Sequence, residues 1–220
     1  MWKATIMTMA TALMLGGAHA EAQKMIQRND IQLKSDLMTP EALWAMGRIG
    51  GAAVSPDAKS IVYQVGYYSV VENKGHQMLF TMAADGSNQK ALTVDAQSET
   101  SAVWIADGKR IAFLREGQLW SMNADGTDRK QLTYSKTDIE GFLFSPDETM
   151  VILIKSIPYH GSIKENPSDL PKATGRLVTD MNYRHWDHYV ESIPHPFLAK
   201  VTAEGVDEGE DILQGEPYEC

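Results

Sequence analysis

The chain has 220 residues, 43% hydrophobic and 22% charged, the mix of an ordinary globular protein, which excludes a disordered tail and a collagen-like fibre. Lys and Arg number 20 against 29 Asp and Glu, a net charge of −9 with no basic run, so a nucleic-acid partner is not expected. The one cysteine, Cys220, excludes an internal disulfide framework and a cysteine-based zinc site.

The first element in chain order reads as an export signal. Lys3 precedes an apolar run over 4–15, and Ala18-His19-Ala20 gives the small-x-small pattern of a signal-peptidase site. Twelve residues are too few for the ~20 that cross the hydrocarbon core, so a cleaved leader (1–20) is expected rather than a membrane span. The expected location is the periplasm or the medium.

Residues 21–51 form a lead-in with one short helix. Thr39 suits the N-cap, Pro40 the first helical position and Glu41 the positive end of the dipole. Residues 42–46 continue the helix and Gly47 is placed to end it.

The rest is a repeat. Ala84-Asp85-Gly86 returns 40 residues on as Ala124-Asp125-Gly126, and Leu92-Thr93 returns as Leu132-Thr133. A second marker, Ser55-Pro56-Asp57, is echoed by Ile105-Ala106-Asp107-Gly108 and Ser145-Pro146-Asp147. Asp85 to Asp107 and Asp125 to Asp147 are both 22 residues, while the spacing inside the units varies from 28 to 18. In the middle unit, short β-prone runs at 101–104, 111–114, 119–122 and 131–133 are separated by turns at 106–109, 116–117 and 123–126. Asp-Gly between such runs is a strong hairpin signal. Four short strands every 40 or so residues are the mark of a β-propeller blade of the WD40-like kind. The expected fold is therefore all-β: a partial β-propeller of about three four-stranded blades, 52–93, 101–133 and 141–214, with an insertion at about 156–195 in the third. The strands at 150–155 and 211–215 belong to that third blade.

Ser121, Asn123, Asp125 and Gly126 imitate the start of a calcium loop, but Leu132 stands where the bidentate glutamate is needed, so this reads as a hairpin turn. The insertion holds the densest polar and aromatic cluster, Tyr183, Arg184, His185, Trp186 and Asp187, followed by His188 and Glu191. These residues are the candidate substrate-binding group; the structural alternative has Trp186 anchoring the loop while Asp187 and the histidines make internal hydrogen bonds. A metal on His185, Asp187, His188 and His195 is disfavoured, because residues three apart in a strand face opposite sides; no metal and no cofactor are expected. A nucleophile elbow is missing, since the glycines four apart (Gly47/Gly51, Gly205/Gly209) enclose Ile49 and Asp207. No catalytic residue is expected in this chain.

Residues 38–41, 47–49 and Val54-Ser55-Pro56-Asp57, with 169–176, Tyr183-Arg184-His185-Trp186-Asp187 and 194–198 in the insertion, resemble the S9 prolyl oligopeptidase-type serine peptidases. The likeness covers 37–220 and is greatest to the exported bacterial dipeptidyl-peptidase and acylaminoacyl-peptidase branch. It implies an N-terminal propeller that gates peptides on their way to a C-terminal Ser-Asp-His hydrolase domain absent from this chain. Peptide substrates reached through that domain are then the expected partners, and a homodimer of the full-length protein stays open. In dipeptidyl peptidases acidic groups on the cap hold the substrate amine, and Asp187 and Glu191 are the positional choices here. The alternative is a non-catalytic TolB-like periplasmic propeller that binds proteins. The 31 residues between the expected cut and the first blade are too few for the α/β domain that precedes the blades in that arrangement.

Overall fold

The computed structural model describes residues 24–28, 31–32, 35–159, 163–164, 172, 177–178, 192–218 and 220. The expected leader, 1–20, lies outside them.

One helix, α1 (Pro40–Ala45), opens the described fold. Thr39 caps it as the sequence requires, its Oγ1 accepting from the Ala42 N–H at 3.2 Å. The helix stops earlier than expected. Met46 is already extended (φ −70°, ψ 133°), so no left-handed glycine cap forms. Gly47 serves close packing instead: a Cβ there would lie 2.8 Å from both Val65 and Tyr67 side chains.

Twelve strands then make three four-stranded antiparallel blades. The first is β1 (Arg48–Val54), β2 (Ser60–Ser69), β3 (Lys74–Ala83) and β4 (Lys90–Ala91). The second is β5 (Glu99–Ile105), β6 (Arg110–Arg115), β7 (Gln118–Asn123) and β8 (Lys130–Gln131). The third uses β9 (Ile139–Phe144), β10 (Met150–Pro158), β13 (Ser192–Lys200) and β14 (Glu210–Asp211). Between β10 and β13 the separate pair β11 (Ile163–Lys164) and β12 (Leu177–Val178) forms a two-stranded ribbon. The fold is the expected partial propeller. Its first strand starts at Arg48, four residues before the expected boundary, because a register shift between Ile49 and Ala52 lets the strand bend and resume pairing. The outer strand expected over 211–215 is only the pair Glu210–Asp211, beyond which the chain turns, Glu216 N–H donating to Leu213 C=O at 2.9 Å.

The repeated motifs are turns, each held by an aspartate. Asp57 accepts from Ser55 Oγ (2.7 Å) and the Lys59 N–H (3.1 Å), and Asp147 likewise from Ser145 Oγ (2.6 Å) and the Thr149 N–H (3.2 Å). Asp85 and Asp125 accept from the N–H and hydroxyl of Ser87 and Thr127. Gly86 and Gly126 follow at φ 85° and 88°, which only glycine adopts without cost. The calcium-like loop is thus a hairpin turn whose ligands are committed elsewhere: the Arg110 guanidinium donates to Asn123 Oδ1 (2.9 Å) and Ser121 Oγ (3.0 Å).

These hydrogen bonds favour the charged carboxylate. The hydroxyl donors first, and the backbone N–H groups second, hold Asp57, Asp85, Asp125 and Asp147 below the ordinary aspartate range. A lowered folded-state pKa adds stability above the unfolded value of about 3.9, which is lost as pH falls through the folded value. The melting temperature is therefore expected to drop progressively below about pH 5, and less steeply in a D57N/D147N variant. Parallel pH profiles would show that the turns contribute nothing to acid sensitivity.

Packing between blades explains the apolar runs. On β6 the side chains of Ile111 and Phe113 join Val62, Leu79 and Leu92 of the first blade, while Ala112 and Leu114 join Val151, Leu153 and Ala199 of the third. A strand covered on both faces reads as continuous rather than alternating apolar sequence, and Ile111-Ala112-Phe113-Leu114 are all buried. Two lysines 40 residues apart then latch blade to blade. Lys90 Nζ donates to the Asp125 C=O of the second blade (2.6 Å), and Lys130 Nζ to the Ala203 C=O of the third (2.8 Å).

Candidate functional site

The hairpins joining the second and third strands of the blades all lie at one end of the fold, with the β4–β5 and β8–β9 connections. In the second blade this hairpin is only Glu116-Gly117, with Arg115 opposite Gln118. In the first it is longer, from the Ser69↔Lys74 pair, and exposes Val70 and Val71. In the third it is the insertion.

The β10–β13 ladder runs in unbroken register from Met150↔Lys200 to Pro158↔Ser192. The insertion is therefore 159–191, narrower than the expected 156–195, because Ser156, Ile157 and Pro158 pair with Pro194, Ile193 and Ser192 and so belong to the blade. Tyr183, Arg184, His185, Trp186, Asp187, His188 and Glu191 lie outside the described residues. His195 is not part of the insertion. It is fully buried on β13, with Nδ1 3.0 Å from the Asp211 carboxylate and Nε2 without a hydrogen-bond partner among the described residues. The Lys155 ammonium opposite it sits 3.9 Å above the Phe197 ring and donates to the Glu208 C=O at 2.7 Å.

The His195–Asp211 pair was not foreseen. Only the strand register reveals its place in the repeat: His195 stands where the second blade has Gln118, and Asp211 where it has Gln131. Gln118 Oε1 there accepts from the Thr133 hydroxyl and the Ser135 N–H. An ionisable pair stands where the second blade has two amides and the first has Met78 and Ala91.

Two further features mark this end. The lead-in, α1 and the β2–β3 hairpin enclose a cleft of about 930 Å³ lined by Met25, Ile31, Trp44, Tyr68, Val70 and Glu72 among others. Beside it the half-buried Arg48 guanidinium lies 5.1 Å from the Trp44 ring centre and 4.6 Å from that of Tyr68, against the edge-to-face pair these two rings make, and donates to the Leu43 C=O at 3.4 Å. Between the first two blades, the fully buried Glu99 accepts from Arg115, Arg129 and the Thr93 hydroxyl. Arg115 also grips Asp95 through two bonds of 2.8 and 3.1 Å. Those two bonds and the Gln97 N–H outweigh burial, which acts in the opposite sense, and hold Asp95 below the usual carboxylate range. Among the described residues no three His, Cys, Asp or Glu side chains gather as metal ligands, and no helix is long and apolar enough to cross a membrane. This end offers surface for binding, and the described residues place no hydroxyl or thiol on His195 Nε2 for it to activate.

The blades and their order define the class: a partial β-propeller. Among solved structures, acylaminoacyl peptidase of Pyrococcus horikoshii matches with a TM-score of 0.56 at 13% identity, over 77% of this chain and 26% of that one, a likeness of fold. The particular relatives are two proteins named dipeptidyl-peptidase 5. That of Porphyromonas gingivalis is 48% identical over 187 residues, 83% of this chain and 27% of the relative; that of Porphyromonas endodontalis is 42% identical over 191 residues, 85% and 28%. No family model matches the chain. The chain thus spans little more than a quarter of the length of these relatives. The resemblance to S9-type peptidases is borne out over the propeller portion.

Proposed function

We propose that the chain is the propeller portion of an exported S9-type serine peptidase of dipeptidyl- or acylaminoacyl-peptidase type, and that it filters peptides before they reach a hydrolase domain. The single observation that carries this reading is the 48% identity over 187 residues to a dipeptidyl-peptidase 5 of which the chain covers 27%. Identity at that level with the peptidases favours this reading over the TolB-like binding propeller. The insertion and the apolar cleft at one end supply the surface at which a peptide is met, and Tyr183, Arg184, His185, Trp186, Asp187 and Glu191 are the side chains proposed to meet it. The leader proposed over 1–20 directs the protein across the inner membrane, with cleavage after Ala20.

The test uses antibodies against the purified chain on fractionated cells that carry the gene. The expected antigen is a periplasmic or secreted polypeptide of the length of the dipeptidyl-peptidase 5 relatives, labelled by a serine-directed fluorophosphonate and active on dipeptidyl-coumarylamides. The purified 220-residue chain is expected to show no such turnover. An unlabelled antigen of the chain's own 24.4 kDa would sink the proposal, and a cytoplasmic antigen would sink the export claim.

A further inference from the structure

His76 is 2% exposed on β3, and both of its ring nitrogens face backbone carbonyls. Nδ1 lies 2.7 Å from the Ile26 oxygen and Nε2 3.2 Å from the Gln97 oxygen. A carbonyl oxygen only accepts, so both contacts are hydrogen bonds only when both nitrogens carry protons. A neutral imidazole has one N–H. Its Nε2–H tautomer sets a lone pair against the Ile26 oxygen, and its Nδ1–H tautomer sets one against the Gln97 oxygen. The bridge is complete for the imidazolium alone.

The two carbonyls belong to separate parts of the chain. Gln97 lies in the β4–β5 connection, which is held without the histidine: the Gln97 N–H donates to Asp95 at 3.0 Å, and Ser98 Oγ accepts from the Gln77 N–H at 3.1 Å. Ile26 lies in the lead-in, 50 positions before His76. Residues 24–28 join no sheet among the described residues, and they form one wall of the cleft that the β2–β3 hairpin closes on the other side. His76 thus ties a cleft wall without ladder bonds of its own to a blade that has them.

Tyr67 stands opposite His76 on β2. The other ionisable groups on the surrounding elements are Lys24 and Arg28 of the lead-in, Glu72 and Lys74 of the hairpin, and Asp95 and Glu99, both bound by Arg115. The hydrogen bonds of the ring among the described residues go to the two carbonyls and to no carboxylate.

We propose that His76 is a charge-gated clamp: as an imidazolium it fixes the lead-in against the first blade, and on losing its proton it releases that wall of the cleft. Imidazole gains and loses this proton between about pH 5 and 8. The bond that needs the extra proton is present on the acid side and lost as pH rises, so the cleft is firm in acid and loose in mild base. The clamp concerns the cleft itself and stands whatever the cleft takes.

Two readings on the purified chain test it. Long-range nitrogen NMR of the imidazoles, with the His76 signals identified by their loss in His76→Gln, is expected to show both ring nitrogens protonated at about pH 6 and one at about pH 8. Hydrogen exchange over residues 24–28, corrected for the intrinsic effect of pH, is expected to be at least about tenfold faster at the higher pH, the effect of losing one hydrogen bond to a charged group. The amide of His76→Gln donates to one carbonyl at either pH, so this variant is expected to exchange at the fast rate at both. Melting curves verify that it folds; should it not, the two wild-type readings decide. A ring that is neutral at about pH 6 overturns the proposal. So does a lead-in whose corrected exchange ignores pH in the wild type, the result for a histidine that only fills space, or a pH response that persists in His76→Gln.

Discussion

Replacing Glu99 by alanine is expected to destabilise the chain by about 3–5 kcal/mol, the range for breaking a buried ion pair from one side. Glu99 is fully buried at the start of β5, with Arg115, Arg129 and the Thr93 hydroxyl on its two oxygens. The arginine side chains are themselves mostly covered, 14% and 19% exposed. Without the carboxylate Arg129 keeps the Leu92 C=O at 2.8 Å as its hydrogen-bond acceptor among the described residues, and Arg115 keeps Asp95 on the solvent side. The cost is the desolvation of charges left without their central partner rather than a lost Coulomb energy. Thr93 adds a second link, because the same hydroxyl accepts from the Leu79 N–H at 2.8 Å and so ties Glu99 to the third strand of the first blade. Urea unfolding of Glu99→Ala beside Glu99→Gln checks this: glutamine still accepts from Thr93 and one arginine, so its loss is expected to be smaller. If alanine costs less than about 1 kcal/mol, as exposed pairs do, the network holds nothing together.

Phe113→Ala is expected to cost a similar ~3–5 kcal/mol for a different reason. Its ring is fully buried among Val62, Leu79 and Met122, where the first two blades meet, and the Arg129 guanidinium stands 5.3 Å from its centre. Truncation removes transfer energy, opens a cavity between two sheets that cannot close independently, and takes away the face on which Arg129 rests. Phe113→Leu is expected to cost under about 1.5 kcal/mol, since most of the volume stays. Both are read from urea midpoints. Equal losses for the two would mean that the aromatic face matters and the volume does not.

The turns were legible because their chemistry is local. Ser55-Pro56-Asp57 and Asp125-Gly126 specify a hydrogen-bonding side chain and a positive-φ residue within four positions, and no distant partner is needed. The fold class followed, since turns at matched 22-residue spacing leave room for little besides short antiparallel strands. The end of α1 was misplaced because Gly47 fits a helix cap locally, whereas it is fixed by Val65 and Tyr67 of the next strands. The insertion was drawn too wide at both ends because Ser156-Ile157-Pro158 and Ile193-Pro194 carry little strand signal of their own; prolines weaken it, and only the nine-residue ladder between β10 and β13 recruits them. The candidate group at 183–191 came from composition and resemblance, and its geometry lies outside the described residues.

Sequence alone settled what depends on neighbours in the chain: repeat period, turn type, the number of blades described and the capped start of α1. Tertiary structure decided what depends on residues brought together from different blades. That set comprises the Glu99–Arg115–Arg129 network, the His195–Asp211 pair and the lysine latches. A turn is a short-range choice among backbone conformations, so its residues announce it. A buried charge is tolerable only beside partners 16 to 30 positions away, and only the packed sheets name them.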